Sequence, residues 1–322
     1  MKVLFFGLGS IGNRHARLLK AQFQHSLLAF RSNEGRGKNP LGLRELYTWD
    51  DVASECPDVA FVTNPTHLHL ETIGQALDIG IRSFFIEKPI DISDQMFEKV
   101  LERIRTKGAV TYVAYVMRFH PIVRFLKDWI RDKDVHHVRC VNSSYLPDWR
   151  PGQDFSRSYS RFSDQGGGVI LDASHEFDML TYLFGPIRKI TGEFGRIADI
   201  TYDAEDYAEA MVLCGKTTAS VYLSYFGKPA QRVISIETST GRLEADLLGG
   251  GVVFCGEPYR TFEINRDQWY LDQLAYFFDN IGNPGMMNRL EEASQLFKML
   301  VQFRSTTSHA GVRGSRKSAP NT

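Results

Sequence analysis

The stretch KVLFFGLGSIGNRHARLLKAQ, residues 2–22, decides the fold. Val3 to Phe6 are an unbroken apolar run, short enough for a strand buried on both faces. Gly7-x-Gly9-x-x-Gly12 follows at once, and from Ile11 onward the polar and apolar residues have helical spacing. Glycine permits the tight turn there and lets a pyrophosphate come against the amides at the helix N-terminus. A bare Gly-x-Gly-x-x-Gly is a weak signal; its strand–turn–helix setting gives this one its weight. Gly7, Gly9, Ser10, Ile11 and Gly12 are therefore read as a dinucleotide cradle.

The next strand, LLAF, should end at the residue that reads the adenosine ribose. Arg31 and Ser32 stand there, and no acid follows before Glu34. Arg31 can pair with a 2′-phosphate and Ser32 can donate to it, so NADP is favoured over NAD. The alternative is a solvated Arg31 and an enzyme that takes both cofactors.

Further on, DVAFVTN (58–64) and RSFFIEK (82–88) are strands separated by amphipathic helices. Strands alternating with helices predict a doubly wound parallel α/β sheet, a Rossmann domain over residues 1–118. A fragment ending near Met117 is then expected to bind dinucleotide by itself. After Phe119 the pattern changes to period two, in HHVRCVNSSY, AEAMVLCG, TASVYLSYF, RVISIETS and RLEADLL. These predict a second, α+β domain over 119–308 with a large, mostly antiparallel open sheet. QWYLDQLAYFFDNI and RLEEASQLFKMLVQF are read as its closing helices, and the polar residues 309–322 as a disordered tail.

Lysine plus arginine equals aspartate plus glutamate, 38 each in 322 residues, so no global field favours nucleic acid or a membrane surface. Four cysteines without a Cys-x-x-Cys pair fit a reducing compartment. The apolar start is too short to span a bilayer and is interrupted by glycine. A cytoplasmic protein is expected.

Two further motifs carry chemistry. Glu87-Lys88-Pro89 closes a buried strand, and in open parallel sheets ligands bind beyond the carboxyl ends of the strands. GGGVILDASHEFDML, residues 166–180, sets three glycines before an Asp172-x-x-His175-x-x-Asp178 ladder. That ladder reads as a metal site, an acid–base pair or a capped helix. A metal needs three or four convergent ligands, and Asp178, nearly two turns from Asp172, should point elsewhere, so no metal is expected.

GLGSIGNRH, TNPTHLHLETIGQAL, EKP and the glycine-rich ladder occur in the order found in the glucose–fructose oxidoreductase/inositol dehydrogenase/MocA family, which the chain resembles from Met1 to about Ser308. The resemblance implies a sugar or cyclitol substrate on the open face of the second sheet. It adds Asn64, Pro65, His69 and Glu87 to the cofactor residues, and maps the family's lysine and Asp–His pair onto Lys88, Asp172 and His175. Many members carry Asp-x-x-x-His where this chain has Asp-x-x-His. In this reading the glycines let backbone approach nicotinamide and sugar. Asp172, near a helix N-terminus, holds His175 in one tautomer; His175 takes the hydroxyl proton while hydride leaves the same carbon; Lys88 polarises the oxygen.

YLPDWRPGQDFSRSYS, residues 145–160, resembles a branch associated with surface-polysaccharide and nonulosonic-acid sugars. Tyr145, Asp148, Trp149, Arg150, Arg157 and Tyr159 are candidates for the sugar pocket, or else loop packing residues. His15, His67, His69 and His120 read more readily as structural histidines. By analogy the open sheet face implies a dimer or tetramer. The rival functions are a glycosidase that uses NAD transiently and a sugar-sensing protein without catalysis.

Overall fold

The computed structural model describes residues 1–31, 39–150, 152 and 154–306. Ser32 and the proposed tail lie outside the described residues. The opening apolar run is β1 (Lys2–Phe6), followed by α1 (Ser10–Gln22), β2 (Ser26–Phe30), β3 (Arg44–Leu46), α2 (Trp49–Glu55), β4 (Val59–Val62), α3 (His69–Asp78), β5 (Ser83–Ile86), α4 (Phe97–Thr106) and β6 (Val110–Val113). The six strands pair in parallel in the order β3-β2-β1-β4-β5-β6. Their side chains are apolar on both faces because helices cover both. Phe61 and Phe85 stack with ring centroids 4.4 Å apart, and Phe5 lies 4.9 Å from Phe61. Strand order reverses between β1 and β4, which opens a crevice beyond Phe6 and Val62, where Gly7 and Asn64 sit.

After α5 (Pro121–Trp129) the chain enters β7 (Val135–Tyr145), then α6 (Val169–Asp172) and α7 (Ser174–Phe184). The strands that follow are β8 (Ile187–Gly195), β9 (Tyr207–Cys214), β10 (Thr217–Ser224), β11 (Phe226–Thr238), β12 (Gly241–Asp246), β13 (Gly251–Phe254) and β14 (Glu257–Thr261). Helices α8 (Arg266–Asn280) and α9 (Leu290–Ser305) end the described chain. The sheet order is β14-β13-β12-β11-β7-β10-β9-β8, antiparallel except where β7 meets β10. Period two sorts its faces: Val138, Cys140, Ala219, Val221, Ile234 and Ile236 are buried. His137, Arg139, Ser220, Val233, Ser235 and Glu237 line a shallow hollow of about 910 Å³ on the opposite face. Among the described residues no helix is long and apolar enough to cross a membrane.

Helix α8 leaves the second sheet for the first, whereas α9 packs on β8 and also reaches β6. Phe277 of α8 packs edge-on against Phe61 and Phe85 at 6.0 and 5.3 Å, and the amide of Leu290 donates to Thr111 Oγ1 at 3.0 Å. The backbone of Asn288 accepts from Val113 N at 2.8 Å. Residues 1–118 thus lack part of the cover for their own core, contrary to the expectation of a self-sufficient fragment. A fragment ending near Met117 is now expected to aggregate, because Phe61, Phe85 and Tyr112 would face water. Size-exclusion chromatography with a dinucleotide titration checks this; a monomeric, cofactor-binding fragment would contradict it.

Candidate active site

At the β1–α1 turn Gly7 has φ +95°, and a Cβ there would lie 2.7 Å from Asn64 Cα. A Cβ on Gly12 would lie 2.2 Å from the Gly7 carbonyl oxygen. These two glycines are required by the protein's own packing. Gly9 is not: a Cβ there would meet nothing within 4 Å, although Gly9 is the N-cap of α1 and no side chain caps that helix. The N-terminus of α1 is therefore bare on the side where Gly9 leaves space, which fits the pyrophosphate of a dinucleotide. Thr63 Oγ1 donates to Gly7 O at 2.7 Å and fixes the turn to the next strand.

Arg31 follows β2, its amide donating to Leu46 O. Its side chain is only 10% exposed, and its Nη1 lies 3.7 Å from Glu45 Oε1 on the neighbouring strand. A 2′-phosphate would therefore share Arg31 with Glu45.

Around Lys88 the expected cofactor residues divide by burial. Glu87 is buried; His15 Nε2 faces its Oε1 at 2.7 Å, and the Lys88 amide donates to its Oε2 at 3.1 Å. His69 is 1% exposed; its Nε2–H donates to Asn64 O at 2.9 Å, and burial lowers its pKa below 6.5. Asn64 Nδ2 in turn donates to Thr72 Oγ1 at 2.8 Å, while Asn64 Oδ1 is buried with no partner. Glu87 and His69, expected to face the cofactor, are buried and bonded within the protein, while Asn64 and the exposed Pro65 lie at the crevice. The Lys88–Pro89 peptide is cis. Lys88 Nζ donates to the backbone oxygen of Asp172 at 2.7 Å, tying the end of β5 to the glycine-rich ladder.

The ladder departs from the single helix face expected of it. Ala173, at φ −94° and ψ 24°, separates α6 from α7, so Asp172 ends a one-turn helix and His175 lies in the first turn of the next. The macrodipole does not hold Asp172. Two phenols do: Tyr159 Oη donates to Oδ1 at 2.7 Å and Tyr225 Oη to Oδ2 at 2.6 Å. Among the described residues no hydrogen bond joins Asp172 to His175, so the orienting role expected of Asp172 is replaced by a locked carboxylate. The preceding glycines also serve the fold: a Cβ on Gly167 would lie 2.4 Å from Tyr159 O, and one on Gly168 2.3 Å from Glu205 Oε1. They admit protein, where an approach to cofactor and sugar had been expected.

His175 Nδ1 is buried with no hydrogen-bond partner, and the edge of Tyr115 packs on the ring at 5.8 Å. Burial first, then the charges of Lys88, Arg232 and Arg266, hold its pKa well below 6.5. An uncharged imidazole beside a lysine is poised to accept a proton. Asp178 points away and is paired to Arg118 through contacts of 2.9 and 2.6 Å. No group of three or more His, Cys, Asp or Glu side chains with metal-site geometry occurs among the described residues.

The 145–160 loop brings some of its candidates close. Trp149 Nε1 donates to Ser144 Oγ at 2.8 Å, and the indole lies 5.4 Å from the Tyr225 ring. Arg150 covers the Tyr159 ring at 5.3 Å. Tyr145 lies under Lys228 Nζ, and Asp148 is exposed. Arg157, with 87% of its side chain exposed, faces Asp154 and no group around Asp172. Tyr225 escaped the sequence reading because a tyrosine at the end of an alternating strand is indistinguishable from packing. His120 caps α5, its Nδ1 accepting from the Ile122 amide, while His67 is exposed.

Residues 1–115 match the family described as an oxidoreductase family with an NAD-binding Rossmann fold, and residues 123–244 match the GFO/IDH/MocA C-terminal domain. Scyllo-inositol 2-dehydrogenase (NAD(+)) of Bacillus subtilis is 25% identical over 262 residues, 78% of this chain and 72% of that protein. A 2,7-anhydro-N-acetylneuraminate hydratase of Mediterraneibacter gnavus is 27% identical over 157 residues, 48% of this chain but only 40% of that protein. The structure of levoglucosan dehydrogenase in complex with NADH has the same fold, with a TM-score of 0.79 at 16% identity over 94% of this chain and 96% of that one. The cradle, the lysine and the ladder fall within the two matched segments, and the chain belongs to the GFO/IDH/MocA family of oxidoreductases.

Proposed function

We propose that this protein transfers hydride between a nicotinamide cofactor and a secondary alcohol or ketone of a sugar derivative. The observation that carries the reading is the half-buried His175, whose Nδ1 has no partner and whose pKa is held well below 6.5 by burial and then by the charge of Lys88. Gly9, Ser10, Ile11 and Asn64 would hold the dinucleotide, which supplies the hydride acceptor or donor when bound. His175 takes the proton of the substrate hydroxyl. Lys88, one of whose three ammonium protons is spent on Asp172 O, offers the others to the same oxygen. Asp172 is held in place by the two phenols rather than by His175. Surface-polysaccharide or nonulosonic-acid sugars are the substrates suggested by the 145–160 loop. The test is a panel of free and nucleotide-activated sugars with each cofactor, followed at the nicotinamide absorbance band. Net accumulation of reduced or oxidised cofactor supports an oxidoreductase, whereas sugar conversion without net redox change favours the transient-redox alternative.

NADP is the proposed preference, through Arg31. Its pairing with Glu45 makes the preference adjustable. Arg31→Asp should move preference towards NAD(H), and Glu45→Gln should strengthen NADP(H) binding by about tenfold, as one charge-assisted contact is freed. Fluorescence titration of both cofactors checks this; equal affinities unmoved by either change would contradict it. A second copy of the chain is the proposed cover for the hollow outer face of the eight-stranded sheet. Sedimentation equilibrium should accordingly give a dimer or tetramer.

A further inference from the structure

We infer that the cavity beside the Asp172 phenols is a subsite for the nucleoside diphosphate part of a nucleotide-activated sugar. The inference rests on the sugar oxidoreductase reading above and names its substrate class. The cavity holds about 330 Å³, at the small end of ligand pockets, and Trp149, Arg150, Asp154, Phe155 and Arg157 line it. Tyr159 and Tyr225 connect it to the site: each donates its phenol to Asp172, and each meets a cavity residue, Arg150 over one ring and Trp149 against the other. The cavity is thus one side-chain layer from Asp172.

Its chemistry selects the ligand. Trp149 is 40% exposed yet pinned, by its hydrogen bond to Ser144 and by a perpendicular contact with Tyr225. A fixed, exposed indole is a platform for a flat ring such as a base. Arg150 has no carboxylate within ion-pair distance among the described residues. Arg157 is only loosely balanced by Asp154, at 3.6 Å, since Asp154 already accepts from the Ser156 amide and hydroxyl. An aromatic face with two guanidinium groups suits a base joined to phosphates better than a neutral sugar, which has no charge to balance them.

The test is calorimetric titration of the full-length protein saturated with NADP(H), so that the dinucleotide cradle is filled, using UDP, CDP, GDP and inorganic pyrophosphate as probes. At least one nucleoside diphosphate should bind more tightly than pyrophosphate. Trp149→Ala and Arg150→Gln should each weaken it about tenfold, with Trp149→Phe retaining most of the affinity. NADP(H) binding by the variants reports that they are folded. Absence of binding by all three nucleotides, equal binding of pyrophosphate, or indifference to both substitutions would overturn the subsite. Sugar turnover without nucleotide binding would remove the subsite alone. Nucleotide binding without turnover of any sugar would keep the subsite and remove the oxidoreductase reading.

Discussion

His175→Ala and Lys88→Ala should each lower turnover by about 10²–10⁴-fold, the usual cost of removing a positioned proton-transfer group, while dinucleotide affinity stays unchanged. The imidazole contributes nothing to the cradle: its Nδ1 has no protein partner and its charge is suppressed by burial and three neighbouring cations. Lys88 touches the ladder through Asp172 O. In the proposed mechanism its loss removes the cation that steadies the reacting oxygen. The pH profile gives a second reading. A histidine lowered well below 6.5 remains the neutral acceptor as pH falls through 6.5, so the acid limb of kcat/KM for alcohol oxidation should set in only well below that value. An acid limb centred at or above 6.5, or near-normal turnover in both variants, would remove His175 and Lys88 from the chemistry.

Gly9→Ala and Gly12→Ala should part company. At Gly12 the new methyl would sit 2.2 Å from the backbone of Gly7, and backbone cannot swing aside as a flexible side chain can. A drop in stability of about 1–3 kcal/mol is the usual scale of such overpacking, and cofactor binding would fall with it. At Gly9 the methyl meets nothing in the protein. Thermal unfolding of Gly9→Ala should match that of the parent, and its cofactor affinity should still fall by about 100-fold, on the scale of a lost set of charge-assisted contacts to a helix N-terminus. Calorimetric unfolding with dinucleotide titration separates the two; undiminished affinity in Gly9→Ala would mean that the pyrophosphate lies elsewhere.

The parallel sheet was legible because β1, β4 and β5 are apolar without interruption and the glycines follow β1 at once. The short β3 and β13 and the edge strand β14 were not: β3 and β13 have only 3 and 4 residues, and every residue of β14 is exposed, so none shows a readable alternation. The ladder was visible as a motif, but its geometry was not. Spacing of three residues implies one helix face only while the helix continues, and the break at Ala173 is set by tertiary contacts: Tyr159 and Tyr225 on Asp172, and Lys88 on its carbonyl. Tyr225 lies 53 residues from Asp172 in sequence, and no local pattern connects them. The destination of α8 was hidden for the same reason: an amphipathic helix declares that it has an apolar face, and the sequence does not say which sheet receives it.

The central claim is that hydride passes directly between nicotinamide and a carbon of the sugar, with His175 handling the proton. Deuterium at C4 of the reduced nicotinamide tests it most directly, by mass spectrometry and NMR of the product formed from a keto sugar identified in the substrate panel. The expected result is deuterium on a carbon that bears a hydroxyl in the product, with stoichiometric loss of reduced cofactor in the parent protein and neither in His175→Ala. Conversion of the sugar with no deuterium on its carbons, whichever face of C4 carries the label, would contradict it.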